Sequence, residues 1–208
     1  MSRTNIKKQT LRDYTRGTPS AEDTAYFNDA MNKSSDMTSA ILQAIQIEQR
    51  LDESIILRLA RRDQNTIDLL SKDNGALGTF FAKIGIAYAL GVYDTELMEH
   101  LNIVRRIRNA FAHSRRRISF GNDLIRAELH TVKEYHGTSE EIKNRVKIVK
   151  NLTAPGLNDA IQGDGNNDMD STLALSGRAA YTIICLHINH YLLSDQTAIM
   201  SRSVPAEG

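Results

Sequence analysis

The chain has a single cysteine, Cys185, so it can close no internal disulfide and build no cysteine-based zinc cluster. That usage fits a reducing, cytoplasmic setting. The opening segment, MSRTNIKKQTLRDYTRGTPS, carries basic residues with no apolar run behind them and does not read as a secretory leader. No apolar stretch reaches membrane-spanning length. The longest candidate, YTIICLHINHYLL, is interrupted by His187, Asn189 and His190, so no membrane contact is expected. An excess of one charge is missing too. Lysine plus arginine number 26 against 25 aspartates and glutamates, a net +1, so any electrostatic attraction must be local. There is no glycine-rich phosphate loop, Walker pattern, serine-nucleophile elbow or internal repeat, and no cofactor or metal is expected.

What is present suits a globular chain. With 208 residues and 41% hydrophobic content, it is long enough to bury a core as one domain. Residues 1–19 read as a flexible basic tail (Lys7, Lys8, Arg12, Arg16), 20–195 as a helical bundle domain, and 196–208 as a flexible C-terminal tail.

Within the domain the apolar period is helical. A first helix is expected after Pro19 and Ser20, with Glu22 and Asp23 in its first turn. A long one is predicted from about Asp36 to Arg62, with Ile41, Ile45, Ile55 and Leu59 returning at helical intervals. Glu48 and Asp52 fall on that seam, and an unpaired buried carboxylate is costly, so they must sit at its edge or have partners. A short helix is expected over Asn65 to Lys72. Asp73, Asn74 and Gly75 form a turn, and the next helix presents Phe81, Ile84 and Tyr88 on one face and ends near Gly91. Gly85 and the alanines at 82, 87 and 89 would let another helix pack closely. Asp94 caps a helix from Thr95 to about Ser114. The stretch after it is ambiguous: Ile118 and Phe120 alternate as in an extended piece, while Leu124, Ile125 and Leu129 suit a helix. TSEE at 138–141 is a capping box, with Ile142, Val146 and Val149 on one face behind it. Asp170 or Ser171 would cap a last helix through about Leu193. The fold class is therefore all-α, a single helical bundle of five to seven helices.

The candidate site lies in IVRRIRNAFAHSRRRISF, which holds six arginines between Arg105 and Arg117. At 100° per residue, Leu97, Leu101, Val104, Ile107 and Phe111 gather on one face and Arg108 sits at its edge. Asn109 and His113 share a polar arc as an i,i+4 pair, and Arg108 lies about 140° from His113, flanking that arc. These residue types suit metal-independent RNA cleavage. A histidine can take the proton from a ribose 2′-hydroxyl or give one to the leaving oxygen. Arg108 can hold the phosphate, and Asn109 can orient histidine or substrate. Arg105, Arg106, Arg115, Arg116 and Arg117 would attract the backbone phosphates. A structural reading stands beside this one. Arginines favour a helix C-terminus, His113 can cap carbonyls there, and Arg108 can pair with Glu48 or Asp52 to hold the bundle together.

GALGTFFAKIGIAYALGVYD followed by RRIRNAFAHSRRRISF resembles the bacterial mannitol operon repressor family, over roughly Glu48 to Leu129. The matching patterns are GxLGxxxxKxxxxYxLG and IRNxFAH…ISF. The RNxxxH signature also resembles the wider HEPN superfamily. The resemblance implies an all-helical bundle acting in transcriptional regulation through a protein partner, since no helix-turn-helix is evident. The superfamily likeness implies, as an alternative, a metal-independent endoribonuclease using Arg108 and His113 with Asn109 beside the arginine. It also implies a homodimer with two motifs facing one cleft. Arg115 stands where several toxins of that superfamily carry tyrosine. A non-catalytic module binding RNA or a nucleotide through the arginines is the third reading.

Other features carry less. DGNNDMD, Asp164 to Asp170, echoes a calcium loop, but its sixth position is Met169 and its twelfth Leu175, which rules the loop out. His187 and His190 read as core or edge histidines rather than ligands, and Cys185 as a small buried hydrophobe. KNRVKIVK, 143–150, reads as a solvated basic face.

Overall fold

The computed structural model describes residues 20–22, 26, 34–72, 74–132 and 177–202. The expected basic tail at 1–19, the capping box at 138–141, the basic face at 143–150 and the loop at 163–170 lie outside the described residues, as does Asp73. Among the described residues six helices have both ends placed: α1 (Asp36–Arg58), α2 (Gln64–Ser71), α3 (Phe80–Ala89), α4 (Thr95–His113), α5 (Asp123–Leu129) and α6 (Gly177–Arg202). No strand occurs among the described residues, and the architecture is an all-α bundle. No described helix is long and apolar enough to cross a membrane.

Side-chain caps start each of the first five helices. Ser35, Asp63, Thr79, Asp94 and Asn122 each accept a hydrogen bond from a backbone N–H of the first turn that would otherwise have no partner. Asp63 also explains why the long helix stops at Arg58 rather than running to Arg62. Leu59 turns extended, and Asp63 begins a separate helix by accepting from Thr66. At the end of α3 the N–H of Val92 reaches the Ala87 carbonyl and that of Gly91 the Tyr88 carbonyl, a Schellman closure. Gly91 adopts φ +66° there, a left-handed conformation that disfavours a side chain. Gly75 meets a different demand: a Cβ on it would collide with the Leu69 and Leu70 carbonyl oxygens.

α1 and α6 are parallel neighbours. Contacts pair Asp36 with Arg178, Ala40 with Tyr181, Gln43 with Thr182 and Arg58 with Asp195, so both helices advance together. α4 runs against them, with His100 beside His187 and Phe111 joined through Phe120 to Tyr181. α3 runs against α4: Tyr88 meets Thr95 at one end and Phe81 meets Arg105 at the other.

The α4 core face is as expected: Leu97, Leu101, Val104, Ile107 and Phe111 are all buried. Two other faces are rotated from expectation. In α1 the buried seam is Ala40, Ala44, Ile47, Leu51 and Ile55, while Ile45 is exposed. Small and hydrogen-bonding residues (Ser39, Gln43, Ser54) line the contact with α6, so the larger isoleucines flank it. In α3 the buried residues are Phe80, Lys83, Ile84 and Ala87; Phe81 and Tyr88 face solvent. Gly85 is exposed, with none of the described residues within 4 Å of a Cβ built on it, so no described helix uses it for close packing. Ile118 lies in an irregular link that forms no strand, and a turn closed by the Asn122 N–H on the Ser119 carbonyl leads into α5. α6 continues to Arg202, past the expected end near Leu193. Gln196 is buried and donates to Ser54 and to the Arg50 carbonyl, which draws residues 196–202 into the helix in place of a loose tail.

Candidate functional site

α4 is positioned by its buried face, and that burial fixes what its remaining faces present. Arg108 lies half-buried at the edge of the core, and its Nη1 donates to Asn109 Oδ1 at 3.0 Å. Its positive charge is felt by Tyr181, where it opposes burial, the main cause of that phenol's raised pKa. His113 is exposed in the last turn of α4, four residues beyond the half-buried Asn109.

Glu48 and Asp52 are not the partners of Arg108. Both converge on Lys83, whose Nζ lies 2.9 Å from Glu48 Oε1 and 2.8 Å from Asp52 Oδ2. Lys83 reaches them because it sits on the inward face of α3, between Phe80 and Ile84. Burial alone would lower the pKa of its ammonium, but the hydrogen bonds to Asp52 and Glu48 outweigh that and raise it above 10.5. The seam position of Glu48 and Asp52 called for partners; Lys83, the one charged residue of α3, is the signal that could have named them in place of Arg108.

The flanking arginines divide into three groups. Arg106 is held by Glu128 of α5, with Nε at 3.0 Å and Nη2 at 2.6 Å from Oε2. The guanidinium of Arg105 lies 5.2 Å from the centroid of Phe81, and its Nε bonds Asn102 at 3.4 Å. Arg115, Arg116 and Arg117 are exposed, on a turn that Ser114 closes by accepting from the Arg116 N–H and donating to its carbonyl. The structure thus gathers Arg105, Arg108 and Asn109 along the second half of α4, with His113 in its last turn and the three arginines beyond its end. It withdraws Arg106 into an ion pair and places Glu48 and Asp52 elsewhere. Phe81 and Glu128, which touch these arginines, were not expected.

Among the described residues no group of three or more histidines, cysteines or carboxylates is placed to hold a metal ion. Chemically, the arc offers charge-assisted hydrogen bonds for an anion and an imidazole open to solvent. Comparison with protein-family models, curated proteins and solved structures gave no match.

Proposed function

We propose that the chain is a bacterial regulatory protein, resembling the mannitol operon repressors, that acts in transcription through protein contacts. The observation that carries this reading is the outward face of α3, which lies inside the GxLGxxxxKxxxxYxLG segment. Phe81 is 66% exposed and Tyr88 41%, side by side on that face, with the guanidinium of Arg105 at the Phe81 ring. Exposed aromatic side chains with an arginine beside them suit a protein contact, where those residue types are enriched. Transcript levels in a strain lacking the gene test it. Complementation with the wild type should restore the regulated transcripts, and complementation with a folded Phe81→Asp, Tyr88→Asp double variant should not. Equal restoration by both would overturn the reading.

A second reading has its own support. Among the described residues Arg108 bonds Asn109 and is paired with no carboxylate. In a metal-independent ribonuclease, His113 would take the 2′-hydroxyl proton as that oxygen attacks the adjacent phosphorus; the bond from phosphorus to the 5′-oxygen breaks, leaving a 2′,3′-cyclic phosphate, and the 5′-oxygen departs as a hydroxyl with a proton from the imidazolium or from water. Arg108 would stabilise the charge growing on the phosphate, and Asn109 would hold the arginine in place. RNA cleavage in EDTA, lost in both Arg108→Ala and His113→Ala, would support this reading. Binding without cleavage would leave a non-catalytic RNA contact.

A further inference from the structure

We infer that the arginine turn beyond α4, Arg115 to Arg117, is the docking point for an extended acidic segment of a protein partner. This rests on the protein-contact reading above and names the chemistry of the partner.

The first observation is which cations the bundle leaves without a counter-charge. Arg50 meets Glu53, Arg58 meets Asp195, and Lys83 meets Glu48 and Asp52. Arg106 meets Glu128, and Arg178 lies 3.6 Å from Asp36. Arg115, Arg116 and Arg117 are all exposed, and none is paired with a carboxylate among the described residues. Neighbouring like charges repel one another, and a counter-charge from outside the bundle relieves that repulsion.

The second is that the turn is held in shape. At its start the Ser114 hydroxyl donates to the Arg116 carbonyl at 2.8 Å and accepts from the Arg116 N–H at 3.1 Å. Beyond the arginines Ile118 packs on the core, and Phe120 is buried against Phe111 and Tyr181. The Phe120 N–H donates to Asp36 Oδ2 at 3.0 Å. The backbone that carries the arginines is thus pinned on both sides, so a ligand has little of it to order on binding.

The third is the extent of the positive stretch. Carboxylates bound it: Asp36 at the Phe120 N–H and Asp123 in the first turn of α5. A nucleic-acid backbone is held by a positive surface that follows a run of phosphates, and unpaired bases stack on exposed rings. The aromatic residues on either side of the turn, Phe111 and Phe120, are both buried, so neither offers a ring to a base. A short run of carboxylates fits better. Each planar guanidinium can take one carboxylate through two parallel hydrogen bonds, and arginine clusters are a recurring receptor for acidic motifs.

Fluorescence anisotropy on the full chain is the test. The probe is a fluorescein-labelled peptide of alternating aspartate and glutamate, and the control is its asparagine–glutamine counterpart. The wild type should bind the acidic peptide and not the neutral one, and affinity should fall as salt rises. A variant carrying Arg115→Gln, Arg116→Gln and Arg117→Gln, its folding checked by circular dichroism, should bind on the order of 10-fold more weakly, because the charge pairs are lost. Arg61→Gln, at an exposed arginine elsewhere, should bind as the wild type does. Ser114→Ala keeps every charge but frees the turn, and should weaken binding several-fold. A wild type that ignores the acidic peptide, a triple variant that still binds it, or binding unchanged by Ser114→Ala would each overturn the proposal. Tighter binding of a single-stranded RNA than of the peptide at equal salt, lost in the triple variant, would overturn it too and assign the turn to RNA. A chain that regulates only with Phe81 and Tyr88 intact yet ignores the peptide would sink the acidic partner alone. Peptide binding in a chain whose Phe81→Asp, Tyr88→Asp variant still regulates would sink the regulatory reading alone.

Discussion

The Lys83 ammonium lies 2.8 Å from Asp52 Oδ2, joining the inward face of α3 to the edge of α1. Glu48, one turn earlier on α1, meets the same nitrogen. Both carboxylates are largely sheltered, with side-chain exposures of 21% and 32%. Lys83→Met would leave them facing each other beside apolar neighbours. Breaking a buried pair costs roughly 3–5 kcal/mol, and partial solvation here reduces that to about 2 kcal/mol. Urea unfolding of the variant measures it. Adding Glu48→Gln and Asp52→Asn should recover part of the loss, because no uncompensated charge then remains.

Alkali should unfold the chain progressively. Burial pushes the Cys185 thiol above its ordinary 9.0 and the Tyr181 and Tyr93 phenols above 10.0. A group whose folded pKa is raised contributes stability that is fully present below its unfolded pKa and is lost as pH rises beyond it. Lys83, raised above 10.5, adds to the same trend at the highest pH. The unfolding midpoint should therefore be flat below about pH 9 and fall above it. Cys185→Ala should remove the earliest part of the fall, whereas a midpoint constant to pH 11 would contradict the burial of these groups.

Gly75→Ala should be among the most damaging small substitutions. The obstacle is backbone, the carbonyl oxygens of Leu69 and Leu70, so it cannot rotate away as a side chain can. A loss above about 2 kcal/mol is expected, read as a drop in melting temperature. Gly85→Ala, with open space around its Cβ position, should be neutral or stabilising in the monomer through helix propensity.

His113→Ala should leave stability within about 0.5 kcal/mol of the wild type, because the side chain is exposed at a helix end. Phe111→Ala, two residues earlier and fully buried, should cost about 3–5 kcal/mol by leaving a cavity against Phe120. Thermal melts of the pair would separate what α4 shows to solvent from what it packs inward.

Much of the fold was legible because several helices advertise themselves twice, by cap and by period. Asp94 and the series Leu97, Leu101, Val104, Ile107, Phe111 are the clearest case. The α1 seam was not legible by the same rule. Its bonds to α6 are made by Ala40, Gln43 and Ser54, which a search for large apolar residues passes over. Phe81 and Tyr88 misled in the opposite direction, since apolar side chains on an uncharged helix read as core whichever side they occupy. At the candidate site, the local arrangement of Arg108, Asn109 and His113 along one helix was readable from spacing. Which arginines were already engaged was not: Glu128 lies 22 residues from Arg106, and Lys83 lies 31 from Asp52. Pairings across such separations are decided by packing of whole helices, which a single sequence does not display.

The parallel pairing of α1 with α6 has a consequence for how the chain is made. Parallel neighbours cannot be joined by a tight hairpin, and here the bonds that lock them span 139 residues from Gln43 to Thr182 and 142 from Ser54 to Gln196. During synthesis α1 leaves the ribosome with its Ala40–Gln43–Ser54 stripe uncovered, and that stripe stays wet until α6 has been translated. At about 5–20 residues per second the wait is on the order of ten seconds or more. The nascent bundle must pass that interval with an unfilled slot along α1, and closing such a distant contact makes docking of α6 a late event in folding.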